Sequence, residues 1–353
     1  MSAVRLFTPR FALVVSLLTP ACETQRIPPS PSPSPSPMVA NDAGRDLEKA
    51  GYRSFTIQGF RVHVSHAVLA HGSESSAVLA RLDDRLGDAR RRFGPAAMKV
   101  LEPVRLWVEW SSTDPRPRGP AEFHQSAAWL AAHGYDVEKE HGIEISNTAE
   151  FLRVTAGAQP QALLHELAHA YDALALGNAS PAVQAAYDSA TASGRYAGVA
   201  RVGTNGSERA YALTNPREYF AETTEAYLGM NDYFPFVREQ LEGFDAPGFA
   251  LMKQTWGAPQ PRASAAVGAC SRGSSPAAGV STALVIYNRG GRPASIAWLD
   301  EQGASRPMRR IEPRAFDVQP TYAGHRFVAT DSASGTCLGE VVAVADIQRV
   351  DLP

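Results

Sequence analysis

Apolar and polar positions alternate through YRSFTIQGFRVHVS, residues 52–65, and the pattern breaks at Gly59, which predicts two short strands or a hairpin. From 77 to 93 the period changes: Val78, Leu79, Leu82 and Leu86 recur at helical spacing until Gly94-Pro95 ends the run. Residues 104–110 then read as a strand, 121–132 as a helix and 142–146 as a short extended piece. A helix is predicted from about Pro160, a residue suited to a first turn, to Gly177-Asn178. Another follows Pro181, a third runs from Asn215-Pro216 to Gly229, and one or two more lead to Trp256. The mixture predicts an α+β fold.

Composition changes near 257–275, where Pro, Ala, Ser and Gly accumulate, and short β patterns dominate from 280 onward. Alternation over 284–287 and 296–299, with glycine-rich turns between, predicts a small all-β sandwich. This gives one α+β domain over 46–260 and a sandwich over 261–353. The length, 353 residues, accommodates both.

The first 22 residues differ from the rest: Arg5 and Arg10 precede an apolar run over 11–18, the pattern of a signal peptide. That run is too short to span a bilayer comfortably. LTPAC, ending at Cys22, looks like a bacterial lipobox, so Cys22 is expected to carry a lipid that anchors an exported chain to a membrane. Residues 23–45 form a linker whose Pro-Ser alternation over 28–37 favours an extended spacer. Of the three cysteines, Cys270 and Cys337 remain, and export predicts that they pair. With 34 basic against 36 acidic residues, no large basic surface is implied for gripping a nucleic-acid backbone.

The chemistry concentrates in HELAH. On a helix His165 and His169 share one face, one turn apart, and can offer two imidazole nitrogens to a tetrahedral Zn2+. Glu166, beside the first histidine, is the expected general base for a metal-activated water. The flanks of ALLHELAHAYDALAL are apolar, and burying two histidines and a glutamate there requires compensation that a metal supplies. A third protein ligand is needed. Glu218, Glu222 and Glu225 share a face of the helix after Asn215, and spacing leaves Glu218 and Glu222 equally eligible; Asp172 is a weaker choice. Glu218 also occupies the place of a capping-box glutamate behind Asn215-Pro216.

HELAHAYD, Tyr211 and EYFAE from Glu218 together resemble the catalytic domain of the anthrax lethal factor family of zinc peptidases, over about 163–228. The resemblance implies a zincin-like fold and peptide-bond hydrolysis, with Glu218 as third ligand. It also implies that Tyr211, seven residues before that glutamate, assists catalysis. A phenol there can donate to the oxyanion, and Glu222 then suits an acceptor that orients a ligand histidine. NDYFPF, residues 231–236, is similar to bacterial members of the same group.

Residues 281–344 resemble the β domain of the von Hippel-Lindau tumour suppressor, in which an aromatic-walled pocket takes a hydroxyproline peptide. Trp298, Thr321 and His325 fall at pocket positions, which implies peptide binding; Phe327 replaces a tryptophan there and Met308 a tyrosine. The sequence therefore predicts a zinc endopeptidase acting on proteins, with a β domain for substrate or partner. The alternative is a surface binding or adhesion protein with a structural zinc.

Overall fold

The first two strands, β1 (Tyr52–Ile57) and β2 (Phe60–Ser65), pair antiparallel with Ile57 opposite Phe60. Gln58 and Gly59 between them both have positive φ, 51° and 90°, the conformation of a two-residue turn whose twist suits a hairpin. At φ 90° Gly59 holds a conformation that side-chain-bearing residues rarely adopt, so the turn calls for glycine there. The computed structural model describes residues 51–353 apart from 111–119, 158, 179, 203, 205, 272 and 278. The expected signal peptide, Cys22 and the 23–45 linker lie outside the described residues.

After α1 (His66–Leu69), α2 (Gly72–Leu101) buries Val78, Leu82 and Leu86. Gly94, at φ 74°, interrupts it where the sequence predicts a stop. Helix nevertheless resumes to Leu101, because Pro95 can open a new helical turn without missing its N–H. Strands β3 (Leu106–Val108), β4 (Glu122–Phe123) and β5 (Ile143–Ile145) complete a sheet ordered β1-β2-β3-β5-β4. Its centre is parallel and its edge strand β4 runs antiparallel to β5.

The helix expected over 121–132 is therefore only half present: α3 (Ala127–Ala132) starts after Ser126, whose side chain accepts from Trp129 N. Ladder bonds override the helical expectation over the residues before it. His124 N–H donates to Gly142 O, 2.9 Å, and its carbonyl accepts from His141 N, 2.6 Å. Beside this edge, buried Lys139 bridges Glu109 and Glu144 at 2.9 and 2.8 Å, and His124 Nε2 lies 2.7 Å from Glu144. Burial alone would raise Glu144, but the bond with His124 and the charge and bond of Lys139 hold its carboxyl at about 2. A depressed carboxylate stabilises the fold fully above its unfolded value of 4.5 and loses that contribution as pH falls toward 2. Glu144→Gln is thus expected to lower unfolding free energy by about 3 kcal/mol at pH 7. The gap from the parent should close near pH 2 in urea titrations.

The remaining helices are α4 (Thr148–Ala156), α5 (Ala162–Tyr171), α6 (Pro181–Ser193), α7 (Pro216–Leu228), α8 (Arg238–Phe244) and α9 (Ala246–Trp256). A π-helical turn over Asp172–Leu176 extends α5 to Gly177, which closes it in the left-handed conformation. Helix α5 packs against α2 and α7 in one core. Among the described residues no helix is long and apolar enough to cross a membrane.

The rest of the chain is all β. Strands β6 (Ser281–Asn288), β7 (Ala294–Leu299), β8 (Ser305–Ile311), β9 (Phe316–Tyr322), β10 (Arg326–Asp331), β11 (Cys337–Val342) and β12 (Gln348–Leu352) form two sheets. One is ordered β11-β10-β7-β8 and the other β12-β6-β9, and they enclose Leu284, Ile286, Ile296, Trp298, Phe327 and Val350. The fold is thus α+β with a C-terminal all-β region. Cys270 and Cys337 stand at disulfide distance, Cα to Cα 6.2 Å, tying the segment before β6 to the last strand but one. The bridge closes 67 residues, and a chain-entropy estimate gives it about 4 kcal/mol. Cys270→Ser with Cys337→Ser should lower the unfolding free energy of the β region, read from denaturant titrations, by that order.

A third apolar cluster joins the two parts. Val202, Met230, Phe236 and Val237 meet Ala283, Val285, Val318 and Ile347.

Candidate metal centre

His165 and His169 stand one turn apart on α5, and their Nε2 atoms are 3.1 Å apart. Each is also 3.1 Å from Glu218 Oε2 on α7. These three atoms make an equilateral triangle slightly smaller than the face, about 3.3 Å on edge, of a tetrahedron with Zn bonds near 2.0 Å. Lone pairs from three groups aimed at one point repel unless a cation or a proton lies between them, and the donor set fits zinc.

Asn215 fixes the approach of Glu218. Its Oδ1 accepts from Arg217 N and Glu218 N at 2.9 and 3.0 Å, and Pro216 takes the first helical position. Asn215 thus caps α7, and the Glu218 carboxylate turns to the histidines. Burial would raise Glu218, but the His169 charge and the bonds to both imidazoles outweigh it and hold the group below the usual carboxylate range. Asp172, in the π-helical turn, contributes no oxygen to the cluster.

Glu166 lies against the edge strand: Phe123 N–H donates to its Oε2 at 2.8 Å. Burial pushes its carboxyl up to about 8, with the charge of His165 acting the other way. Tyr211 opens a short 3-10 turn, Tyr211–Leu213, with its ring centroid 6.3 Å from that of His165. It is 40% exposed, so its ring borders solvent. Desolvation, then the Glu218 charge, raises its pKa, and the hydroxyl remains a proton donor. Arg217 Nη1 donates to Gln125 Oε1, linking the first turn of α7 to the chain just after β4.

The carboxylate bonded to His165 Nδ1 is Glu225, at 2.6 Å. This corrects the expectation for Glu222, which lies 3.9 Å from the same nitrogen and accepts instead from Asn231 Nδ2 at 3.1 Å. Helix geometry gives the reason. Relative to Glu218, a residue seven places on is rotated by about 20° and one four places on by about 40°, so Glu225 stays nearer the histidine face. Burial, then the charges of Asp232 and Glu225, pushes Glu222 well above the usual carboxylate range.

Spacing shows that Glu225 shares the acidic face, but it ranks Glu225 above Glu222 only once Glu218 is known to face the histidines. No side-chain motif could have revealed the Phe123 N–H, since it is a backbone group delivered by β4.

In the β region Trp298, Thr321 and His325 come together: the Trp298 and His325 ring centroids are 5.3 Å apart, and Thr321 Oγ1 is 3.0 Å from His325 Nδ1. Trp298 and Thr321 are only 6% and 7% exposed, so of the three His325 alone offers appreciable surface. Trp298 and Phe327 belong to the sandwich core, with Met308 packed against it.

No known protein-family model matches the chain, and no curated protein matches it.

Proposed function

We propose that the protein is a zinc-dependent endopeptidase of the lethal factor type with a zincin-like catalytic part. The observation that carries this reading is the His165–His169–Glu218 triangle, with the Glu166 carboxylate beside it against edge strand β4. The mixed sheet bordered by an antiparallel edge strand along α5 is consistent with it.

His165, His169 and Glu218 would hold the metal. Zinc bound there supplies Lewis acidity toward a carbonyl and acidifies water. Glu166 takes the proton from the attacking water and returns it to the leaving amine. Tyr211 O–H donates to the oxygen that gains charge as the carbonyl carbon becomes tetrahedral. Glu225 fixes the tautomer of His165 by accepting from Nδ1–H, so that Nε2 faces the metal.

A structural zinc in a surface binding protein needs neither a base nor a phenol at the site, so Glu166 and Tyr211 favour hydrolysis. The near-complete burial of Trp298 and Thr321 supports a structural role for that cluster over an open peptide pocket. The N-terminal sequence pattern supports export and a lipid anchor on Cys22, which peptide mass mapping of the membrane fraction would test.

The function is tested on a peptide library with the full chain, after chelation and after zinc return. Cleavage that disappears and is restored supports the proposal; stoichiometric zinc with no cleavage of any peptide sinks it. Tyr211→Phe is expected to lower kcat about 100-fold with zinc content unchanged, as loss of one oxyanion donor does. Equal loss of zinc in that variant would move Tyr211 from the chemistry to the metal.

A further inference from the structure

The segment after α7 lies between the metal-bearing helix and the sandwich. Asn231 N–H donates to Phe236 O at 2.9 Å, folding 231–236 back on itself, and Val202 N–H holds Asp232 O at 2.8 Å. On its inner side Asn231 Nδ2 reaches Glu222, and Asp232 pairs with Arg201 at 3.2 Å. Glu225 bonds His165 Nδ1 at 2.6 Å with Glu222 beside it, 3.9 Å from the same nitrogen, and all four of Glu222, Glu225, Asn231 and Asp232 are nearly inaccessible to solvent. On its outer side Met230, Phe236 and Val237 pack into the cluster supplied by Ala283 and Val285 of β6, Val318 of β9 and Ile347.

A second tie reaches the same helix. Arg92 Nη1 donates to Leu228 O at the end of α7, 2.7 Å, while its Nη2 pairs with Asp346 just before β12, also 2.7 Å. The carbonyl end of α7 is thus held by a cation that the β region itself engages. Thr282 Oγ1 donates to Asp346 O at 2.9 Å, fixing that aspartate to β6.

We propose that the three-stranded sheet of the sandwich is a structural part of the metal centre: it clamps residues 230–237 and the end of α7, and through Asn231, Glu222 and Glu225 positions His165. The β region then acts on the metal site from behind, whatever else it binds. Glu225, Glu222 and Asn231 are positioning residues. Each acts on the metal only through His165, and outer partners of a ligand histidine set its orientation and basicity. The inference rests on the zinc reading above but not on hydrolysis.

Strand β6 provides the control. Leu284 faces the sandwich interior and Val285, its neighbour, faces the clamp, and both are fully buried. Zinc release from the full chain to a chromophoric chelator is measured beside the thermal midpoint for Leu284→Ala, Val285→Ala, Glu225→Ala and Glu225→Gln. Glu225→Ala should weaken zinc retention roughly 10–100-fold. Glu225→Gln should recover part of that loss, because its amide oxygen still accepts from Nδ1–H. Val285→Ala should speed release severalfold, whereas Leu284→Ala, with an equal or larger fall in midpoint, should leave it unchanged.

Release that follows lost stability equally in both β6 variants, or that neither variant alters, overturns the clamp. Release from Glu225→Ala at the parent rate overturns the positioning role. A folded parent that takes up no zinc overturns the metal reading along with this one.

Discussion

Glu166→Gln will keep its zinc and lose peptide hydrolysis by about 10²–10⁴-fold, the contribution expected of a positioned general base. The substitution preserves shape and the acceptor oxygen that meets Phe123 N–H, 2.8 Å away, so the edge strand should hold its place. Glu166 contributes no atom to the ligand triangle, and zinc measured by atomic absorption should remain one per chain. Cleavage by Glu166→Gln at the parent rate would remove it from the chemistry. Loss of zinc in step with activity would make it part of the site's scaffold instead.

Glu218→Ala has the largest effect expected on the metal itself. It removes one of the three proposed protein ligands and leaves two imidazoles 3.1 Å apart, so zinc affinity should fall by more than the roughly 100-fold that an outer partner is worth. Glu222→Ala should do far less, since its carboxylate bonds Asn231 and stands 3.9 Å from His165. Competition with a chelator of known affinity separates the two variants. A larger loss in Glu222→Ala would reverse the ligand assignment.

Much of the centre is legible in the sequence because it rests on local periodicity. The i,i+4 histidines, the Asn215-Pro216 start of α7 and the shared face of its three glutamates follow from 3.6 residues per turn. What local pattern cannot supply is the partner across space. The alanine-rich stretch containing 121–132 carries helical composition, and only β5 beside it makes Glu122–Phe123 a strand. The same strand then brings a backbone donor to Glu166. Gly94-Pro95 marks a break correctly but says nothing about whether helix resumes beyond it. The choice between Glu222 and Glu225 depends on which way α7 is turned, since they lie about 40° and about 20° to opposite sides of Glu218, and on where Asn231 lies. The sandwich's apolar periodicity is visible, but which face of β6 meets which neighbour is not.

The packing of α5 on α7 bears on the order of events as the protein matures. Leu163, Leu167, Ala168, Phe220 and Ala221 place these helices in an apolar core that owes nothing to a metal, and Asn215 caps α7 with its own side chain. Many small zinc domains stay unfolded until the ion arrives. On the proposed zinc reading such a core lets the chain fold first and load afterwards, so metal supply would govern how many molecules are competent and leave the number that survive largely unchanged.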